Sequence, residues 1–337
     1  MYKVVVLGVA HASIFGMAAA AQQLRSANLV GVYDADPEQA AAAAQRLGVP
    51  TIGTVDEALA QEPAVVLIAA EPEKRVGLVE QAVAAGAAAL VDNPPVVTHE
   101  ALDRLIAAGK RHGKRILTHQ PYRGEPLVRA AKAACDAGRV GQIVRMLTTG
   151  PHKLRADGRP GWHWTRRGNG GILIDVAAHG FDLACWFAGG PPRTVAAQHS
   201  NSSRPDKPEF QDFGQAQMRF DVGLLADVEA DWLATDSLKV FGDTRIWIQG
   251  TRGKIELYFG DAVSSAIWTS EVAAEPLDTT PYCSADQWEA ALIEALATGG
   301  DCDYAQCDVW QTSRVSLHAF DSAQAGGQPV SWQDPEA

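Results

Sequence analysis

Short runs of consecutive apolar residues alternate with alanine-rich stretches of helical period through the first third of the chain. Val4–Leu7 is the first run, followed by a turn at Gly8–Ser13 and an apolar helix through Met17 and Leu24. Leu29–Tyr33 predicts a second strand, closed by Asp34-Ala35-Asp36-Pro37, with Pro37 suited to a helix's first turn. Thr54-Val55-Asp56-Glu57 has the capping-box pattern ahead of another helix. Ala64–Ala70 is continuously apolar, as a strand buried on both faces must be. A helix over Arg75–Ala85 ends near Gly86, Ala88–Val91 is a strand, Thr98 caps a helix to about His112, and Arg115–Thr118 is a strand again. Strands separated by helices at this spacing need crossover connections, which are right-handed. The N-terminal part is therefore α/β, a doubly wound parallel sheet.

Beyond about residue 120 the pattern changes. A helix over roughly Glu125–Ala137 ends at Gly138, and a strand follows at Val140–Thr149. A loop rich in Gly, Pro, Trp and Arg leads to a helix expected from about Gly171. From Thr194 onward, strand-like segments succeed one another at Ala216–Phe220, Leu224–Leu233, Thr244–Gln249, Gly253–Tyr258 and Ala266–Trp268. Successive strands without crossover helices predict a C-terminal α+β domain on a mostly antiparallel open sheet. Helices over Ser284 to about Ala297 and over Asp303–Phe320 follow. The expected division is residues 1–120 and 121–337.

Composition narrows the class. A chain of 337 residues exceeds what one core usually supports, and its 47% hydrophobic and 20% charged residues suit a soluble globular protein. A formal charge of -11 disfavours phosphate backbones and anionic lipid, so neither nucleic acid nor membrane is an expected partner. Five cysteines without a C-x-x-C pair make neither a disulfide framework nor a structural zinc site, and no metal is expected. The first residues read as a strand rather than a signal peptide, and the apolar runs are too short to span a bilayer. The expected location is cytoplasmic.

The first turn carries candidate chemistry. Gly8-Val9-Ala10-His11-Ala12-Ser13 occupies the place of a dinucleotide fingerprint, G-x-G-x-x-G, of which only the first glycine is kept. Ala10 stands where the second glycine admits the pyrophosphate, and Ser13 where the third allows close packing. Asp34, at the end of the second strand, can hydrogen-bond the adenosine ribose, and its charge would repel a 2′-phosphate. NAD is therefore favoured over NADP. Asp34 and Pro37 could equally do no more than start a helix. His11 either donates to the cofactor or fills space that glycine would leave.

These features, with the strand end Ala70-Glu71-Pro72, Asp92-Asn93-Pro94, Tyr122-Arg123 and Gly170-Gly171-Ile172-Leu173-Ile174-Asp175-Val176-Ala177-Ala178-His179, resemble the Gfo/Idh/MocA oxidoreductases over nearly the whole length. The resemblance implies a Rossmann domain binding NAD through Gly8, Ala10, His11, Ala12, Ser13, Asp34, Ala70, Glu71, Pro72, Asp92 and Asn93. It implies an activity on sugars, cyclitols or related polyols, and a homodimer or homotetramer formed through the C-terminal sheet. Asp175 and His179, spaced i, i+4, would share one helix face, with His179 as acid–base and Asp175 orienting it or holding a substrate hydroxyl. A helix start with an ordinary Asp and a buried His is the alternative. Asn93 departs from the family, whose Glu-Lys-Pro motif has lysine there; asparagine can hydrogen-bond the substrate oxygen but carries no charge. Lys74, Arg123, His152, Lys153 and Arg167 are candidate replacements for that cation.

Gly161-Trp162-His163-Trp164-Thr165-Arg166-Arg167 concentrates indoles, an imidazole and guanidiniums ahead of the glycine run. Aromatic faces stack on sugars and arginine grips anions, although such a loop also suits a protein interface. Tyr122, Arg123, His152, Trp162, His163, Arg167 and Asp175 are the candidate substrate contacts. The expected function is NAD-dependent hydride transfer on a sugar, cyclitol or polyol. The alternatives are a lyase, glycosidase or epimerase that keeps NAD for a transient oxidation, and a catalytically silent binding protein.

Overall fold

In the computed structural model, which describes residues 1–333, the chain divides into two units. Unit 1 comprises Met1–Pro121 and Ser284–Trp310; unit 2 comprises Tyr122–Cys283 and the segment from Gln311 onward. In chain order the first elements are β1 (Tyr2–Val9), α1 (Ile14–Gln23), β2 (Ala27–Tyr33), α2 (Pro37–Leu47), α3 (Val55–Leu59) and β3 (Val65–Ala69). Next come α4 (Pro72–Ala84), β4 (Ala88–Val91), α5 (His99–His112), β5 (Ile116–Thr118), α6 (Pro121–Gly124), α7 (Pro126–Asp136) and β6 (Ile143–Pro151). They continue with α8 (Arg166–Asn169), α9 (Ala177–Ala188), β7 (Thr194–Ser200), β8 (Phe213–Arg219), β9 (Leu225–Asp231), β10 (Thr244–Gly250), β11 (Gly253–Phe259) and β12 (Val263–Thr269). The last are α10 (Ala285–Thr298), α11 (Gln306–Gln324) and β13 (Val330–Ser331).

Unit 1 is a five-stranded sheet in the order β2-β1-β3-β4-β5, every pair parallel. Val4–Leu7 and Val65–Ala69 are fully buried, because crossover helices cover both faces. The helix starts follow the expected chemistry. Asp36 accepts the N–H groups of Glu38 and Gln39 at the start of α2, and Thr98 accepts that of Ala101 at the start of α5. The fourth helix begins at Pro72, ahead of the expected Arg75.

The expected continuous second domain over 121–337 is corrected. Its break coincides with the unit boundary at Pro121, but α10 lies in unit 1, where Ile293 and Leu296 join the core of β1 and α1. Tyr2 Oη and Ser26 Oγ both donate to Glu294 there, and a Ser284–Gln287 capping box starts the helix. The boundary then falls within α11, between Trp310 and Gln311.

Unit 2 is an eight-stranded sheet ordered β12-β11-β10-β6-β9-β8-β7-β13, antiparallel except for the parallel pair β6–β9. Its core joins alternate residues of these strands, such as Ala216 and Met218 of β8, to Phe181 and Ala184 of α9. The helix expected from Gly171 starts at Ala177 instead. Gly170 and Gly171 both have positive φ (89° and 86°), and residues 172–176 form turns rather than a continuous helix. Asp175 thus precedes the helix that carries His179.

Candidate active site

In unit 1, β1 ends in a tight turn whose backbone passes against the end of β3. Gly8 has φ 83°, and a Cβ there would lie 2.6 Å from the backbone N of Ala70. No other residue type meets both demands. The N-terminus of α1 follows with no acidic residue in its first turn, so its N–H groups offer an uncompensated positive end to an anion. Asp34 closes the turn from β2: its carboxylate accepts the Val9 N–H at 2.7 Å and the Asp36 N–H at 2.8 Å. Fixed there with acceptor capacity remaining, it suits ribose hydroxyls and opposes a 2′-phosphate. Ala10 is half-buried and Ala12 exposed on the same turn. These residues fit a dinucleotide.

The ends of β3 and β4 are tied together by Arg75, which no sequence reading singled out. It is buried; its Nε donates to the Ala70 carbonyl, and Nη1 donates to the carbonyls of Asp92 and Pro94 at 2.8 and 2.7 Å. Nη2 meets the Asp92 carboxylate at 2.8 Å. Ser13 Oγ donates to the same carboxylate at 2.6 Å, and His11 Nδ1 lies 3.1 Å from it. Burial alone would push the Asp92 carboxyl up, but Arg75 and His11 outweigh it and hold the group well below the usual carboxylate range. Asn93 is buried beside this hub, and its bond to Pro94 is cis. Glu71 precedes Pro72, the first residue of α4, and pairs with Lys74 at 2.9 Å on the exposed side.

In unit 2, Asp175 and His179 stand out by exposure. Every other residue from Gly168 to Cys185 is buried, and these two are half-exposed. Although they do not share a regular helix, a tight turn keeps them close in sequence and accessible: the Asp175 N–H donates to the Gly171 carbonyl at 2.9 Å, and that of Ala177 to Ile172. Asn169, another residue no sequence reading singled out, donates its Nδ2 to the Asp175 carboxylate at 2.7 Å. His179 lines a pocket with Tyr122, His152 and Thr148, its ring edge-on to Tyr122 at 5.8 Å. Gly180 lies too close to Thr148 and Val228 to carry a side chain, so α9 packs tightly onto β6 and β9 at the histidine.

The remaining predicted contacts separate. His152 lines the pocket beside His179, its Nδ1 3.1 Å from the Gly150 carbonyl and its ring edge-on to Trp232 and Phe241. His163, expected to meet substrate, is buried instead among Trp162, Trp164, Phe210 and Trp232, 3.4 Å from Asn169. It props the residue that holds Asp175. Arg123 is likewise corrected from a substrate contact to an internal cation, buried and paired through two nitrogens with Asp182. Lys153 is buried and donates to the carbonyls of Asp236 and Leu238. Trp162 is half-buried and Arg167 exposed, whereas Arg166 stacks on Phe320 at 3.8 Å. Arg159 is the half-buried cation the reading passed over. It lies 4.5 Å over Trp232, burial lowers its pKa, and the charge of Asp175 opposes that shift. Its only signal was its place in the Arg159-Pro160-Gly161-Trp162 segment.

A glycine-led turn at the carboxyl ends of a parallel sheet, with an acidic residue closing it from the next strand, defines a dinucleotide-binding oxidoreductase architecture with an added α+β unit. The chain belongs to the GFO/IDH/MocA family: residues 2–120 match its "Oxidoreductase family, NAD-binding Rossmann fold", and residues 128–256 match its C-terminal domain. It is similar to D-apiose dehydrogenase of Paraburkholderia graminis, 25% identical over 238 residues, covering 70% of this chain and 62% of that protein. It is also similar to inositol 2-dehydrogenase 2 of Saccharopolyspora erythraea, 26% identical over 209 residues, covering 60% and 58%. The chain thus matches about six tenths of the length of these curated relatives. Levoglucosan dehydrogenase in complex with NADH and levoglucosan shares the fold, with a TM-score of 0.84 at 21% identity over 98% of this chain and 99% of that one. No helix among the described residues is long and apolar enough to cross a membrane.

Proposed function

We propose that the chain is an NAD-dependent dehydrogenase or reductase that transfers a hydride between nicotinamide and a CH–OH carbon of a sugar, cyclitol or related polyol, with His179 as acid–base. One observation carries this reading: in the buried run from Gly168 to Cys185, the two residues that reach solvent are the two able to hold or move a proton. NAD, when bound, supplies the hydride acceptor. The Gly8–Ser13 turn and the start of α1 hold the pyrophosphate, and Asp34 holds the adenosine ribose. The His179 imidazole accepts the substrate's hydroxyl proton in oxidation and returns it in reduction. Asp175, oriented by Asn169, accepts a hydrogen bond from a second hydroxyl. The named substrates of the relatives, apiose and inositol, are polyhydroxylated and support this class.

Purified protein with NAD and a panel of aldoses and inositols is expected to form NADH, and His179→Gln is expected to lower kcat by about 10²–10⁴-fold. An unchanged rate in that variant removes His179 from the mechanism. Neutral Asn93 favours a second reading, in which NAD is retained for a transient oxidation; turnover of substrate with no net NADH would select it. The face of the unit 2 sheet bearing exposed Gln215 and Gln217 of β8 is proposed to form the homo-oligomer contact, which light scattering tests.

A further inference from the structure

His11 lies in the β1 turn, yet the structure ties it to two other strands. Its backbone N–H donates to the carbonyl of Ala69, the last residue of β3, and its ring reaches Asp92, which follows β4. It therefore spans the carboxyl ends of β1, β3 and β4, over the point where the strand order reverses and ligands of such sheets bind. The Asp92 side chain is 2% exposed and that of His11 is 44% exposed, so a buried carboxylate holds an open imidazole. The proton positions follow from the contacts. Ser13 Oγ gives its only hydrogen to Asp92, so both neighbours of His11 Nδ1, Ser13 Oγ at 3.0 Å and Asp92 Oδ2 at 3.1 Å, act as acceptors. Nδ1 carries a proton in either charge state, and Nε2 is the atom whose protonation changes.

We propose, on the basis of the functional reading above, that His11 is a second catalytic side chain, whose imidazolium supplies at the strand ends the positive charge that Asn93 does not. As the C–H hydride leaves with its electron pair for nicotinamide and the hydroxyl proton passes to His179, the substrate oxygen gains negative charge. His11 donates its Nε2–H to that oxygen and keeps its proton, and the product is the carbonyl compound with NADH. The charged groups set against the ring are Asp92 and, behind it, Arg75 of α4 and His119 after β5.

The mechanism needs His179 neutral and His11 charged, so wild-type kcat for oxidation is expected to give a bell-shaped pH profile. His11→Gln should lower kcat by about 10²-fold and abolish the alkaline decline. Adding Asn93→Lys to that variant should restore part of the rate. In the cofactor-free protein, ring-nitrogen NMR, with the His11 signals assigned by their loss in His11→Gln, should show the neutral ring as the Nδ1–H tautomer. An Nε2–H tautomer overturns the proposal. So does a His11→Gln enzyme that binds NADH more weakly but keeps the wild-type pH profile, because His11 then serves the cofactor alone. If the wild type binds NADH yet oxidises no polyol, the functional reading itself fails and this role with it, whatever the tautomer.

Discussion

Each unit buries an arginine against an aspartate. Arg75 meets Asp92 at 2.8 Å in unit 1, and Arg123 meets Asp182 at 2.6 Å in unit 2. Both pairs are almost wholly removed from solvent, but their surroundings differ. Asp182 takes its other hydrogen bond from buried Thr312, while the Arg123 guanidinium lies 5.0 Å over Trp186. Asp92 instead passes its charge to Ser13 and to the half-open His11. The same ion pair thus braces an interior in one unit and positions a reactive ring in the other. What separates structure from chemistry is where the carboxylate's remaining acceptor sites point.

Removing one carboxylate at a time tests that contrast. Asp182→Asn leaves the Arg123 charge buried without compensation, so stability in urea should fall by about 3–5 kcal/mol while the pH profile of the surviving activity stays unchanged. Asp92→Asn should cost less, about 2–3 kcal/mol, because Arg75 keeps the carbonyls of Ala70, Asp92 and Pro94. That variant should nevertheless alter the pH profile, which Asp182→Asn should not. A matching profile change in both would erase the distinction.

Smaller effects sharpen it further. Asn169→Ala removes a hydrogen bond to a charged acceptor and frees Asp175, so KM for the polyol should rise about 10-fold with a stability loss of about 1–2 kcal/mol. His119, 2.6 Å from Glu289, offers a pH test of unit 1 alone. Burial works against its charge, but Glu289 outweighs burial and raises its pKa. A raised histidine contributes stability that is fully present below its unfolded pKa, about 6.5, and is lost as pH rises through the folded value. Denaturation midpoints of wild type and His119→Gln should therefore differ below neutrality and converge at alkaline pH.

The sheet of unit 1 was legible because parallel strands are buried on both faces and show as unbroken runs, as Val4–Leu7 and Ala64–Ala70 do. The start of α9 was not. Spacing alone places Asp175 and His179 on one helix, whereas two left-handed glycines break that geometry and still keep both residues exposed. The return of α10 to unit 1 was equally hidden, since an amphipathic pattern shows that a face is buried but not against which core. Arg75, Arg123 and Lys153 illustrate the harder limit. A cation in sequence looks alike whether it is solvated or buried, and only the carboxylates and carbonyls brought together by the fold decide its role.

The central claim is best tested by following the absorbance of reduced nicotinamide when wild-type protein is mixed with NAD and each of a series of aldoses and inositols. The account predicts NADH formation with at least one polyol, lost in His179→Gln. Saturable NAD binding with no NADH and no altered polyol across the series would contradict it.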